Sequence, residues 1–325
     1  MQKEVRKIQH TGGSSYTVTL PKNWIIANKL EVNRQVEMEV FATKTLIINP
    51  IGSKKDKTGH LTITRFQEER LTREIISLYI SGVDEILISS QAITSEQRLA
   101  IRRITHKLIG FELFFENSSQ ILLKSVVITS IPISEYITKM VEMVVSMYFD
   151  VLMVVQKHDK ILSKDIEMRD IEIDRIHLLI IREFKKSLSK ALSDVLIDPS
   201  LIDLNYFEHV AIRLERIADH IVSIALEMNK EPQKQEKLFN KFEFASMKKT
   251  AQFLDELKKI IFAKNIQNTH RLMDDVKLVK NANDRLQNET KTRKQISIAK
   301  SNQRICSYIE NILEETLNYI YMKRL

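Results

Sequence analysis

All six glycines of this 325-residue chain lie in its first 110 positions, at Gly12, Gly13, Gly52, Gly59, Gly82 and Gly110. Beyond them there is no glycine, and proline occurs only at Pro132, Pro199 and Pro232. Glycine weakens helix interiors through backbone entropy, and proline breaks them by removing a donor and crowding the preceding turn. A stretch nearly free of both permits long uninterrupted helices, with the prolines marking where they begin or end. The fold class this predicts is multi-domain α+β, a mixed N-terminal third followed by an all-helical remainder.

The clearest helical pattern runs from Phe207 to Met228, FEHVAIRLERIADHIVSIALEM. Phe207, Val210, Ala211, Leu214, Ile217, Ala218, Ile221, Ile224, Ala225 and Met228 recur at three- and four-residue steps, the apolar seam of a helical bundle. A second stripe holds Glu208, Ile212, Glu215, Asp219, Val222 and Leu226. Glu215 and Asp219 therefore stack one turn apart, and two like charges so placed repel, more strongly when shielded from water. A cation would reverse that cost, and ion pairing with Arg213 and Arg216 is the simpler alternative. Both arginines are expected on the polar face with His209 and His220, off the carboxylate line. Upstream, RDIEIDRIHLLIIREF places Asp170 and Asp174 one turn apart, with Ile166, Ile173, Ile176 and Ile180 on its core face.

LERIADH followed by IVSIA resembles the signature helix of the PhoU family of phosphate-uptake regulators, LERIGDHAVNIAE, with Ala218 in place of a glycine. The resemblance implies C-terminal tandem three-helix bundles and carboxylates that hold multinuclear metal sites on the bundle surface. It also implies that Asp170 and Asp174 face Glu215 and Asp219 from a neighbouring antiparallel helix. Together they would form a site for a hard or borderline cation such as iron, manganese, zinc or magnesium. His177 lies to one side of that line and is read as structural. A weaker second repeat aligns Gln303 with Glu215, Ser307 with Asp219, Asp284 with Asp174 and Lys280 with Asp170. A lysine and a neutral pair cannot replace four carboxylates, so one metal site per chain is expected.

The beginning of the chain reads differently. Short strands at Val5–Gln9 and Tyr16–Leu20 flank a glycine-rich turn, Pro21 opens a helical turn, and strands follow at 36–40 and 45–48. So little chain buries little core alone, which predicts dimerisation. RKIQHTGGSSYTVTLPKNWIIANKLEVNRQVEMEV resembles the AbrB/SpoVT family of swapped-hairpin DNA-binding dimers, in the version archaeal PhoU-like regulators carry. Residues 1–60 hold ten Lys and Arg against five Asp and Glu, a surplus that favours a polyanion. Lys3, Arg6, Lys7, Lys22 and Arg34 are the candidate DNA contacts.

Between these parts, Leu61–Ile128 reads as a separate α/β piece, with helices through Leu71–Tyr79 and Ser95–Ile109 and with Leu99, Ile104 and Leu108 facing inward. It has no phosphate-cradling glycine loop. The domain limits expected are 1–52 for the AbrB-like head, 58–130 for the α/β connector, and 131–232 and 236–325 for the two helical repeats. No apolar run reaches the roughly 18 residues of a membrane span, and the N-terminus lacks the apolar core of a signal peptide. The lone Cys306 is read as a small buried hydrophobe. These features predict a cytoplasmic homodimer with no membrane insertion.

No nucleophile–base pair or cofactor fingerprint appears, so no enzyme activity is expected. The function implied is a DNA-binding regulator of phosphate uptake. One alternative is a signalling adaptor whose head only dimerises and whose body binds a phosphate ABC transporter ATPase or sensor kinase. Another is a carboxylate-metal hydrolase using Asp170, Asp174, Glu215 and Asp219.

Overall fold

The computed structural model describes residues 4–13, 15–32, 34–40, 46–51, 57–126, 132–194, 200–230, 241–289 and 292–324. Lys3 and the expected limits at 52, 130, 131, 232 and 236 lie outside them. The chain divides into two units, Met1–Asp56 and Lys57–Leu325.

In the first unit β1 (Gln9–Thr11) and β2 (Ser15–Thr17) form an antiparallel hairpin, with His10 opposite Tyr16. Its turn uses Gly12 at φ +69°, a conformation that favours glycine. Residues 4–8 and 18–20 join no ladder, so the expected strands are shorter and drawn toward the turn. They have no partner strand among the described residues, and Val5 is 98% exposed. The short helix α1 (Lys22–Ala27) follows Pro21, and β3 (Val36–Val40) pairs antiparallel with β4 (Leu46–Pro50). No described side chain of this head is buried, and Ile8, Tyr16, Val32, Met38 and Val40 are exposed.

The second unit begins with a four-stranded sheet in the order β5 (Thr58–Thr62), β6 (Glu85–Ser89), β8 (Gln120–Ser125), β7 (Phe111–Glu116). β5 and β6 are parallel, and the other pairs are antiparallel. Helices α2 (Glu68–Ile80) and α3 (Ser95–Thr105) bury Leu71, Ile75, Tyr79, Ala100, Ile101 and Ile104 with Ile86, Ile88, Ile121 and Leu123 of the sheet. Leu99 is 58% exposed, not inward: the buried stripe of α3 runs through Ala100, Ile101 and Ile104. A reciprocal cap between Thr94 and Gln97 fixes the start of that helix.

Among the described residues six long helices follow, α4 (Ile133–Lys157), α5 (Lys160–Asp194), α6 (Ser200–Asn229), α7 (Lys241–Ala263), α8 (Ile266–Glu289) and α9 (Arg293–Met322). One continuous apolar core joins them, and it contains every seam residue read from Phe207–Met228. Cys306 is buried there as a free thiol. Two matching turns expose the internal repeat. His158 (φ 55°) ends α4 and Lys264 (φ 53°) follows α7, and each precedes an Asx cap at the start of the next helix. The Asp159 carboxylate accepts from the Ile161 and Leu162 amides, and the Asn265 side chain accepts from the Asn268 amide.

The α/β layer, expected as a separate piece, belongs to this second unit because α5 grips it. Arg182 is the centre of that grip. Its guanidinium lies 4.9 Å from the Tyr79 ring and 4.8 Å from the Phe111 ring, donates to the Tyr79 carbonyl at 2.6 Å, and is 3% exposed. Lys186 pairs with Asp84 at 2.7 Å. At Gly82 (φ +83°) a Cβ would stand 3.1 Å from that of Lys186, so glycine lets the two backbones approach.

Candidate functional site

The α5–α6 pair brings together the four carboxylates named above. Asp170 and Asp174 lie on α5, Glu215 and Asp219 on α6, and their charges act on one another across the helix contact. Burial, then the Asp174 and Asp219 charges, pushes Asp170 up to about 7. Burial, then the Asp219 charge, pushes Glu215 up to about 7. Asp174 is raised by burial and Asp219, and drawn back by Lys107 and Arg216. Burial holds His177, two turns along α5 from Asp170, down to about 4. Burial is the largest influence on all four groups, as expected of polar groups between packed helices.

Arg216 stands elsewhere than the helical wheel predicts. Its Nε lies 3.4 Å from Glu215 Oε2 and its Nη1 donates to Asp219 Oδ2 at 3.2 Å. The long flexible stem carries the charge back over the acidic stripe, so the ion-pair alternative holds for Arg216. Arg213 behaves as expected, donating to the His209 carbonyl and approaching Glu315 at 3.6 Å. His209 Nδ1 sits 3.1 Å from the same carboxylate, and His220 stacks on Tyr308. Neither histidine joins the seam. Sequence reasoning missed Lys107, brought in by the α/β layer from 67 positions before Asp174.

The donor set is all carboxylate oxygen, the chemistry of a hard cation site. Asp170 Oδ1 and Glu215 Oε2 are buried without a hydrogen-bond partner, oxygens that a cation would satisfy. As the side chains stand, the ligands do not converge. Among the described residues no group of three or more His, Cys, Asp or Glu has the spacing to hold a metal ion. Binding would require Arg216 to release Glu215 and Asp219.

The second repeat differs at each matching position. The two turns, at His158 and Lys264, set an offset of 106 residues for its first two helices. That offset maps the buried Met140, Val141, Met147, Val151, Val154 and Val155 of α4 onto buried residues of α7, from Ser246 to Ile261. It places Val276 where Asp170 stands and Lys280 where Asp174 stands, which corrects the alignment of Asp284 with Asp174 by one helical turn. On α9, Gln303 and Ser307 keep the places of Glu215 and Asp219, since Ile217, Ala218 and Ile221 map onto buried Ile305, Cys306 and Ile309. Lys280 pairs with Glu310 at 2.7 Å, and the Gln303 amide donates to Asp284.

In the head, Lys3 lies outside the described residues. Arg6, Lys7, Lys22 and Arg34 are exposed, and Arg6 forms an ion pair with Glu4. No helix among the described residues is long and apolar enough to cross a membrane.

Residues 137–228 match the PhoU domain model, and residues 9–56 match the model of the antidote-toxin recognition MazE bacterial antitoxin. The phosphate transport system regulatory protein PhoU from Streptococcus pneumoniae is a similar solved structure. It shows 15% identity over 57% of this chain and 92% of its own, with a TM-score of 0.47. None of the curated proteins compared with the chain matches it.

Proposed function

We propose that this chain, which carries a PhoU domain at residues 137–228 and a MazE/AbrB-like domain at residues 9–56, is a cytoplasmic regulator of phosphate uptake and not an enzyme. In this reading the head binds DNA and the helical body reads metal or phosphate status. The PhoU match carries the reading, because that segment contains Asp170, Asp174, Glu215 and Asp219. These four residues would hold a divalent or iron-type ion, and a bound cation supplies the charge that offsets their repulsion. The absence of any buried side chain among the described residues of the head supports pairing with a second copy, which would double its basic charge.

The test is DNA binding by the full chain across a salt series, with upstream DNA of phosphate-transport genes. Replacing Arg6 and Lys7 together with alanine is expected to weaken binding and flatten the salt dependence by roughly two phosphate contacts. An unchanged affinity and slope would reduce the head to a dimerisation device. The Arg6–Glu4 pair, which spends one cation inside the head, favours that second reading: an adaptor whose body binds a transporter ATPase or sensor kinase.

A further inference from the structure

A cleft remote from the carboxylate seam opens between the last turn of α2 and the C-terminal turns of α5. It is a shallow cleft open to solvent, of about 440 Å³, lined by Ser77, Ile80, Ser81, Lys185, Leu188 and Ser189. That volume falls in the range of roughly 300–1,000 Å³ typical of small-molecule sites. Its polar groups are mostly donors. Lys57, beside the lining, donates to Ser189 Oγ at 3.0 Å, which leaves the Ser189 hydroxyl proton to point elsewhere. Lys185 stands over the Phe184 ring, and neither it nor Lys57 forms a salt bridge among the described residues. Their neighbour Lys186 is the one neutralised, by Asp84. The Ser77 hydroxyl makes no side-chain bond among the described residues, whereas Ser81 spends its proton on the Leu78 carbonyl. Ile80 and Leu188 supply apolar wall.

We propose that this cleft binds a small organic phosphate. Lys57, Lys185, Ser77 and Ser189 take the phosphate, and the organic body lies against Ile80 and Leu188. Two ammonium point charges with separate hydroxyls suit the several oxygens of a phosphate, whereas a planar carboxylate is best matched by an arginine fork. The volume and the apolar wall call for more than an inorganic ion. Lys57 is the first residue of the second unit, so a bound phosphate would anchor the segment at which the chain enters that unit. The proposal stands independently of DNA binding and of the metal seam.

The probe is phenyl phosphate, titrated into the full chain by calorimetry with melting temperature in parallel, and inorganic phosphate forms a second arm. Saturable binding is expected, tighter for phenyl phosphate than for inorganic phosphate. Lys185→Met should weaken it about tenfold, the loss of one charged hydrogen bond. Ser77→Ala should weaken it less. Both side chains are exposed, so both variants should fold. Asp219→Asn and the Arg6→Ala, Lys7→Ala pair should leave it unchanged. Equal affinity in Lys185→Met, equal affinity for the two probes, or loss with Asp219→Asn would overturn the proposal. None of these outcomes bears on the salt dependence of DNA binding.

Discussion

The two helical repeats share one core and one turn, and differ in what they place on the seam between their second and third helices. In the first, four half-exposed acids oppose one another, and Arg216 is the counter-charge in contact. In the second, Val276, Lys280, Gln303 and Ser307 occupy those places, and the nearby charges are settled by Lys280–Glu310 and Gln303–Asp284. The cores match position for position while the seams diverge. Packing therefore preserves the scaffold in both, and only the first carries an electrostatic burden that its stability does not require. Length differs as well. α5 spans 35 residues and α8 spans 24; Lys186 lies in the extra turns of α5 and Arg182 just before them, and both hold the α/β layer.

The largest effects should show that the scaffolds are equivalent. Ile217→Ala and Ile305→Ala remove fully buried side chains at matching positions, so each should cost about 2–5 kcal/mol in urea unfolding. A cost below about 1 kcal/mol at Ile305 alone would mean that the second repeat is loosely built. Next comes the seam. Manganese at about a hundred times its dissociation constant should stabilise the parent by about 2.7 kcal/mol, read as a rise in Tm. Asp219→Asn should abolish most of that rise, and Gln303→Ala should leave it intact. Equal loss from both, or no rise in the parent, would erase the distinction between the repeats.

A smaller effect concerns pH without metal. Asp170 and Glu215 are raised to about 7, so between the ordinary carboxylate range and that value the native chain holds protons that the unfolded chain has released. Their contribution to stability is therefore present in acid and lost as pH rises toward 7. His177, lowered from 6.5 to about 4, has the opposite sign over its own window. Glu215→Gln should raise Tm in chelator by roughly 2–4 °C at pH 8 and by little at pH 5. The same rise at both pH values would place its origin in packing. Smallest of all, Gln303→Ala itself should cost only about 0.5 kcal/mol, the net worth of one hydrogen bond.

Much of this was legible in sequence because it rests on local rules. The glycine-free remainder is helical, and the 3.6-residue period of Phe207–Met228 named the buried seam. The spacing of Asp170 and Asp174 placed them on one face. What escaped depends on reach and on distant packing. The direction of Arg216's Cβ says little about where a six-atom stem delivers its charge. Matching Asp284 to Asp174 as one acid to another misplaces the second repeat by one turn, because the left-handed residues before Asp159 and Asn265 set the register. A leucine on an amphipathic helix usually faces inward, yet at Leu99 the neighbouring Ala100 and Ile101 fill the space against the sheet. Lys107 and Arg182 meet their partners only after the sheet layer has docked on α5, and no periodicity records that meeting.

That docking makes α5 a member of two cores at once. Ile166, Ile173 and Ile180 belong to the bundle, while Leu178 packs with the sheet layer and Arg182 sits between its aromatic rings. A rod held at both ends by different cores cannot fray from one without exposing the other. The sheet layer and bundle should therefore melt together, as a single calorimetric transition for residues 57–325. Arg182→Met, which removes the charge and keeps much of the bulk, should split that transition in two, with the sheet layer as the earlier event.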